Sequence, residues 1–215
     1  MQHGEPEPDG DTRADRHALG AVRAFLAIPV TSPAREAGSA LLEELRAALP
    51  EVRWVRPEGL HLTLHFWPDL REERIPGLLD ATQGPVGQAA PFAIVLGGLG
   101  AFPGGGDERV LWLGMQTGET LAVALQAEVE RALDTAGFPR EQRAYHPHLT
   151  LGRPRQRLDD DARRRWRSFA GASLGASEAR EVLLYRSHPG PGGSRYEVLA
   201  RLPLGRIGET SSASG

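Results

Sequence analysis

Apolar positions mark out the elements first. Leu41, Leu42, Leu45 and Leu49 recur at helical spacing after Ser32-Pro33, and Pro50 follows the run. This spacing predicts a helix capped by Ser32, with Pro33 in its first turn. Ahead of it, Arg23-Ala-Phe-Leu-Ala-Ile28 has the composition of a strand. A second stripe, Leu121, Leu125, Val129 and Leu133, predicts a helix over 119–136, with Gly137 as its left-handed terminator. A strand over 109–114 precedes that helix. Shorter helices are expected over 71–82, where Pro76 and Gly77 weaken the pattern, and over 160–170. Further strands are expected over 92–96, 181–185 and 195–200.

Strand, helix and a short polar motif then recur as a unit. His61-Leu62-Thr63-Leu64 returns as His148-Leu149-Thr150-Leu151, 87 residues later. Each motif histidine lies 28 residues beyond the start of its helical segment, at Pro33 and at Thr120. The simplest architecture is an α+β internal duplication over 21–207. It has two lobes, two antiparallel sheets with outer helices, and a central cleft to which each lobe brings one motif. Residues 1–20 and 208–215 are rich in polar residues, Pro and Gly, and are expected to be disordered tails.

Alternation along a strand sets His61, Thr63 and His65 on one face and Leu62, Leu64 and Phe66 on the other. In the second copy His146, His148 and Thr150 oppose Leu149 and Leu151. The leucines belong to the core and the polar faces to the cleft. Imidazole titrates closest to neutrality, so one histidine can accept a proton while the other donates one. The two threonine hydroxyls can hold an anion between them. The catalytic candidates are therefore His61 and His148, with Thr63 and Thr150 as phosphate ligands. His65 and His146 have no counterpart in the other copy and are candidates for lining the cleft. His61 and His65 also have a zinc-ligand spacing for a helix, but the segment alternates like a strand and has no nearby Glu or Cys. No metal and no cofactor are expected.

Composition narrows the chemistry. There is no cysteine, and all 25 basic residues in the Lys+Arg count are arginine. Thiol nucleophiles, Schiff bases, lysyl-nucleotide intermediates and Walker-type phosphate loops are excluded. A net charge of −3 argues against non-specific binding to duplex nucleic acid. No apolar run reaches membrane-spanning length and no signal core is present, so a cytoplasmic monomer is expected. Arg153, beside the second motif, is a candidate phosphate ligand. The run Arg163, Arg164, Arg165 and Arg167 reads as a solvated helix face behind Asp159, Asp160 and Asp161. Phe25, Trp67 and Tyr196 are candidate platforms for a base.

At these residues the sequence resembles the two-histidine phosphoesterase superfamily, and within it the RNA 2′,3′-cyclic phosphodiesterase family, historically called 2′-5′ RNA ligase. The resemblance rests on Gly59-Leu-His-Leu-Thr-Leu-His-Phe66, Gly98-Leu-Gly-Ala-Phe-Pro103, Tyr145-His-Pro-His-Leu-Thr-Leu-Gly-Arg153 and Tyr185-Arg-Ser187 with Tyr196. It departs after Phe66, where Trp67-Pro68-Asp69 stands in place of the usual Leu-Gly. The resemblance implies hydrolysis of a terminal ribonucleoside 2′,3′-cyclic phosphate to a 2′-phosphate, with His61 as proton donor and His148 as proton acceptor. It also implies that any 2′-5′ joining is the reverse of this hydrolysis. RNA 3′ ends are the implied substrates. A small cyclic nucleotide, or binding of RNA ends without catalysis, are the alternatives.

Overall fold

The computed structural model describes residues 20–190 and 193–205; the expected tails lie outside these residues, apart from Gly20 at the head of the first strand. Among the described residues, nine strands and four α-helices follow one another in an α+β arrangement. In chain order they are β1 (Ala21–Pro29), α1 (Ala34–Ala48), β2 (Val52–Trp54), β3 (His61–Arg71), α2 (Ile75–Gln88), β4 (Phe92–Phe102), β5 (Val110–Thr117), α3 (Glu119–Thr135), β6 (Leu149–Pro154), α4 (Asp160–Ser168), β7 (Ser173–Ala179), β8 (Glu181–His188) and β9 (Arg195–Pro203).

The strands join in one curled antiparallel sheet in the order β7-β4-β5-β6-β3-β1-β8-β9, with β2 also paired to β6. Two separate sheets were expected. The ladder is instead continuous, because the motif strands β3 and β6 meet at its centre through the pair Leu62–Leu149. The halves are also interleaved. β4 follows the first motif yet pairs with β5, and β8 follows the second yet pairs with β1.

The predicted helices are present, with changes at their ends. Leu41, Leu42, Leu45 and Leu49 are all buried, but α1 begins at Ala34 and Ser32 does not cap it. α2 starts four residues later than expected, because β3 remains extended through Arg71; Pro76 falls in its first turn, where the missing N–H costs nothing. The inner face of α3 is Ala122, Leu125, Val129 and Leu133, whereas Leu121 is 54% exposed. Gly137 has φ +76°, as a left-handed terminator requires. α4 is capped by Asp159, whose side chain accepts from Ala162 N–H at 2.7 Å. The strands β2 and β7 were not anticipated. The leucines of β3 and β6 are buried in one cluster with the inner faces of all four helices, which leaves the motif histidines on the opposite face of the sheet.

Candidate active site

The geometry of the site follows from the Leu62–Leu149 pair. The strands are antiparallel, so one residue further in each direction sets His61 opposite Thr150 and Thr63 opposite His148. Each imidazole therefore neighbours the threonine of the other motif. The two histidines are diagonal neighbours, with backbones about 7–8 Å apart. That spacing leaves room for one phosphorus atom between the ring ends.

Both rings are oriented in the same way. His61 Nδ1 donates to the Gly59 carbonyl at 2.6 Å, and His148 Nδ1 donates to the His146 carbonyl at 2.7 Å. A carbonyl only accepts, so the proton sits on Nδ1 in the neutral ring and Nε2 is left for proton transfer. Aromatic rings fix each imidazole further. Phe25 stacks on His61 at 4.6 Å between centroids, and Tyr196 meets it edge-on at 5.3 Å. Phe102 meets His148 edge-on at 5.1 Å, with Trp112 at 6.0 Å. Glycines allow these approaches. A Cβ on Gly59 would lie 2.8 Å from the Tyr196 ring, and one on Gly100 would lie 2.1 Å from the Trp112 indole.

Enclosure by these rings sets the electrostatics. Burial lowers the pKa of His61 to about 4; the hydrogen bond to Gly59 opposes the shift and the charge of His148 adds to it. Burial also lowers His148, against its bond to His146 and with the charges of Arg153 and His146. Both rings are thus neutral at pH 7 in the free protein. Burial raises the Tyr196 hydroxyl, and the nearby cations Arg153 and Arg23 partly offset this.

A bulge in each motif strand changes which residues share the face of the motif histidines. In β3 the pairing with β1 skips Leu64, and in β6 the pairing with β5 skips Leu151. Each bulge follows the motif threonine and reverses the alternation beyond it. His65 therefore does not share the face of His61 and Thr63. It turns into the core, 6% exposed, and pairs with buried Glu130 of α3. Trp67 turns inward beside it and offers no face to a base. Phe66, assigned to the core by simple alternation, is instead 43% exposed under the Arg23 guanidinium. In β6 the same shift brings Arg153 to the face of His148, where its charge acts on both His148 and Tyr196.

The other expected residues divide. Tyr196 lies in the site, against His61. Phe25 is also there, but at 3% exposure it supports the imidazole and has no free face for a base. The His146 side chain is exposed beside the site, and its carbonyl orients His148. Arg164 and Arg165 pair with Asp161 and Glu51 at the surface, as expected of a solvated helix face, whereas Arg163 is largely enclosed and is held by Glu108, Asp160 and the Gly106 carbonyl. Sequence reasoning did not assign Gly59, Phe102 or Trp112 to the histidines. Gly59 had a signal in the repeat, standing two residues before its histidine as His146 does before the second; Phe102 and Trp112 had none, because strand pairing brings them there.

The profile of the 2′-5′ RNA ligase superfamily matches residues 29–181. The chain belongs to this superfamily. Among its relatives, the RNA 2′,3′-cyclic phosphodiesterase of Methanothermobacter thermautotrophicus is 34% identical over 178 residues, covering 81% of this chain and 95% of the relative. The protein of the same name from Archaeoglobus fulgidus is 33% identical, covering 83% and 98%. The superfamily fold is matched by TT0787 of Thermus thermophilus, with TM-score 0.67, 27% identity and coverage of 85% and 98%. It is matched equally by E. coli LigT complexed with 3′-AMP, with TM-score 0.66, 26% identity and coverage of 86% and 98%.

Proposed function

We propose that the protein hydrolyses the 2′,3′-cyclic phosphate at an RNA 3′ end, leaving a 2′-phosphate and a free 3′-hydroxyl. The observation that carries this is the crosswise pair of motifs, each imidazole with Nδ1 committed to a carbonyl and Nε2 free on one face of the sheet. The names of the relatives support it. A water attacks phosphorus as His148 Nε2 takes its proton. The P–O3′ bond breaks, and the leaving oxygen receives the proton from His61 Nε2. Thr63 and Thr150 donate to the non-bridging oxygens, where charge builds up in the transition state. Two imidazoles supply both proton transfers, so the reaction needs no metal.

The order of donor and acceptor comes from the superfamily resemblance, and the electrostatics of the free site oppose it. A ring with its pKa at about 4 is a poor proton donor at pH 7. The negative charge of a bound phosphate raises both histidines, so the donor becomes protonated on binding substrate. We read the repeated order of strand, helix and motif as a duplication in which the two halves form lobes around the cleft. One chain brings both motifs, so a monomer suffices, and we place it in the cytoplasm. The small-molecule alternative drew on Trp67-Pro68 after the first motif and on the modest net charge; of these, the Trp67 side chain is buried in the core.

The test is an RNA oligomer ending in a 2′,3′-cyclic phosphate, incubated with the protein and EDTA. The expected product keeps its phosphate on the 2′ oxygen. His61→Ala and His148→Ala should each lower the rate by at least about 10²-fold, the usual worth of general acid–base help. Undiminished turnover by His148→Ala would reject the mechanism. Binding without product at any pH near neutrality would indicate a non-catalytic module.

A further inference from the structure

An unusual pair of residues lies beyond the second motif. β2 and β6 set Arg53 directly opposite Arg153. Directly opposed residues project from the same face of a sheet. Val52 and Trp54 are buried, and Pro154 and Gly152 are their partners, so the two arginines share the other face, the one that carries the motif histidines. Both are exposed. Neither has an ion pair or side-chain hydrogen bond among the described residues, although most arginines of α4 and its surroundings do.

Two like charges directly opposite each other weaken a strand pair. Nothing in the core requires arginine at 53, since Trp54 and Val52 make the packing contacts of β2. The arrangement becomes favourable when an anion lies between the guanidinium groups, each of which can meet phosphate oxygens with two parallel N–H bonds. The site also has a direction. Arg153 borders the reacting site, where its charge acts on His148 and Tyr196, whereas Arg53 stands one strand further out and is not among the charges that act on either. The pair therefore lies beside the position between the histidines, and Arg53, on its outer side, suits the neighbouring phosphate of the same chain.

We propose that Arg53, paired with Arg153, binds a backbone phosphodiester of single-stranded RNA upstream of the 3′ end, making the protein selective for oligomers over mononucleotides. This rests on the function proposed above. The cyclic phosphate sits between His61 and His148, and the strand leaves along β6 toward β2, with its phosphates on the arginine pair and its bases outward. Single-stranded RNA suits this edge better than duplex, because a net charge of −3 argues against a broad non-specific surface for paired strands.

The experiment has two readouts on Arg53→Gln and Arg53→Lys in the full chain. The first is binding of a fluorescent single-stranded RNA ten-mer ending in a 2′-phosphate, measured by anisotropy from low to moderate salt. Loss of one phosphate contact should flatten the slope of log K against log salt by about 0.7 for a single strand. Arg53→Gln should show this flattening and roughly tenfold weaker binding at low salt. Arg53→Lys keeps the charge and should keep the slope. The second readout is the ratio of kcat/KM for the cyclic-phosphate ten-mer to that for a nucleoside 2′,3′-cyclic phosphate. It should fall about tenfold in Arg53→Gln, through KM. An unchanged slope in Arg53→Gln, or equal flattening in both variants, overturns the proposal. If the wild-type protein cleaves neither substrate, the proposed function fails, and the binding slope still decides the role of Arg53.

Discussion

The enclosure of His61 should make the protein sensitive to acid in a way that one substitution isolates. An unfolded histidine titrates near 6.5, whereas the folded His61 is lowered to about 4. The unfolded state therefore binds the proton more readily between these values. The stabilisation from neutral His61 is intact above pH 6.5 and is lost as pH falls through about 4. Linkage of a 6.5-to-4 shift gives a loss of about 2 kcal/mol between pH 7 and pH 5, rising to about 3 kcal/mol at pH 4. Replacing the ring by a side chain that does not titrate, in His61→Gln, removes that dependence. Urea unfolding of both proteins at pH 7 and pH 5 measures it. Wild type should lose about 2 kcal/mol more than the variant over that interval. The contributions of the other histidines and of the carboxylates are common to both proteins and cancel. Parallel pH dependence in the two proteins would show that the ring is not desolvated by Phe25, Tyr185 and Tyr196, and would remove the basis for a substrate-charged donor.

Three further outcomes follow from the same site. The pH profile of kcat/KM, which reports the free protein, should be a bell centred below pH 6.5 because both histidines are lowered; the kcat profile should lie at higher pH, and coincident profiles would contradict charging by substrate. Gly59→Ala places a methyl 2.8 Å from the Tyr196 ring, so the ring should swing away and the His61 pKa, followed by imidazole NMR, should rise toward 6.5. Glu130→Ala leaves the buried His65 ring without its acceptor and should cost roughly 1–3 kcal/mol in urea unfolding, the usual cost of an unpaired buried group.

The sequence exposed what repeats and concealed what interrupts repetition. Both motifs, the leucine stripe of α1 and the terminator Gly137 were legible because local periodicity sets them. The bulges at Leu64 and Leu151 were not, because an extra residue in one strand is defined only against its partner. One trace was present: the core positions of β3 run Leu62, Leu64, then Trp67 and Leu70, an abrupt change from even to odd spacing. Continuity of the sheet was equally hidden. It depends on a single pairing between residues 87 apart, which no window of sequence contains. Three-residue β2 was too short to show alternation, so the opposition of Arg53 and Arg153 could not be foreseen.

The crosswise placement of His61 beside Thr150 and His148 beside Thr63 has a consequence for how this chain can change. Under the proposed function neither motif strand holds a complete set of groups: each sets its hydroxyl beside the imidazole of the other. Drift in the backbone of one half is therefore felt twice, once as a displaced ring and once as a displaced donor across the seam. Under that mechanism, a substitution that tunes acid strength on one strand must be answered on the other, so the two motif strands are bound to change as partners.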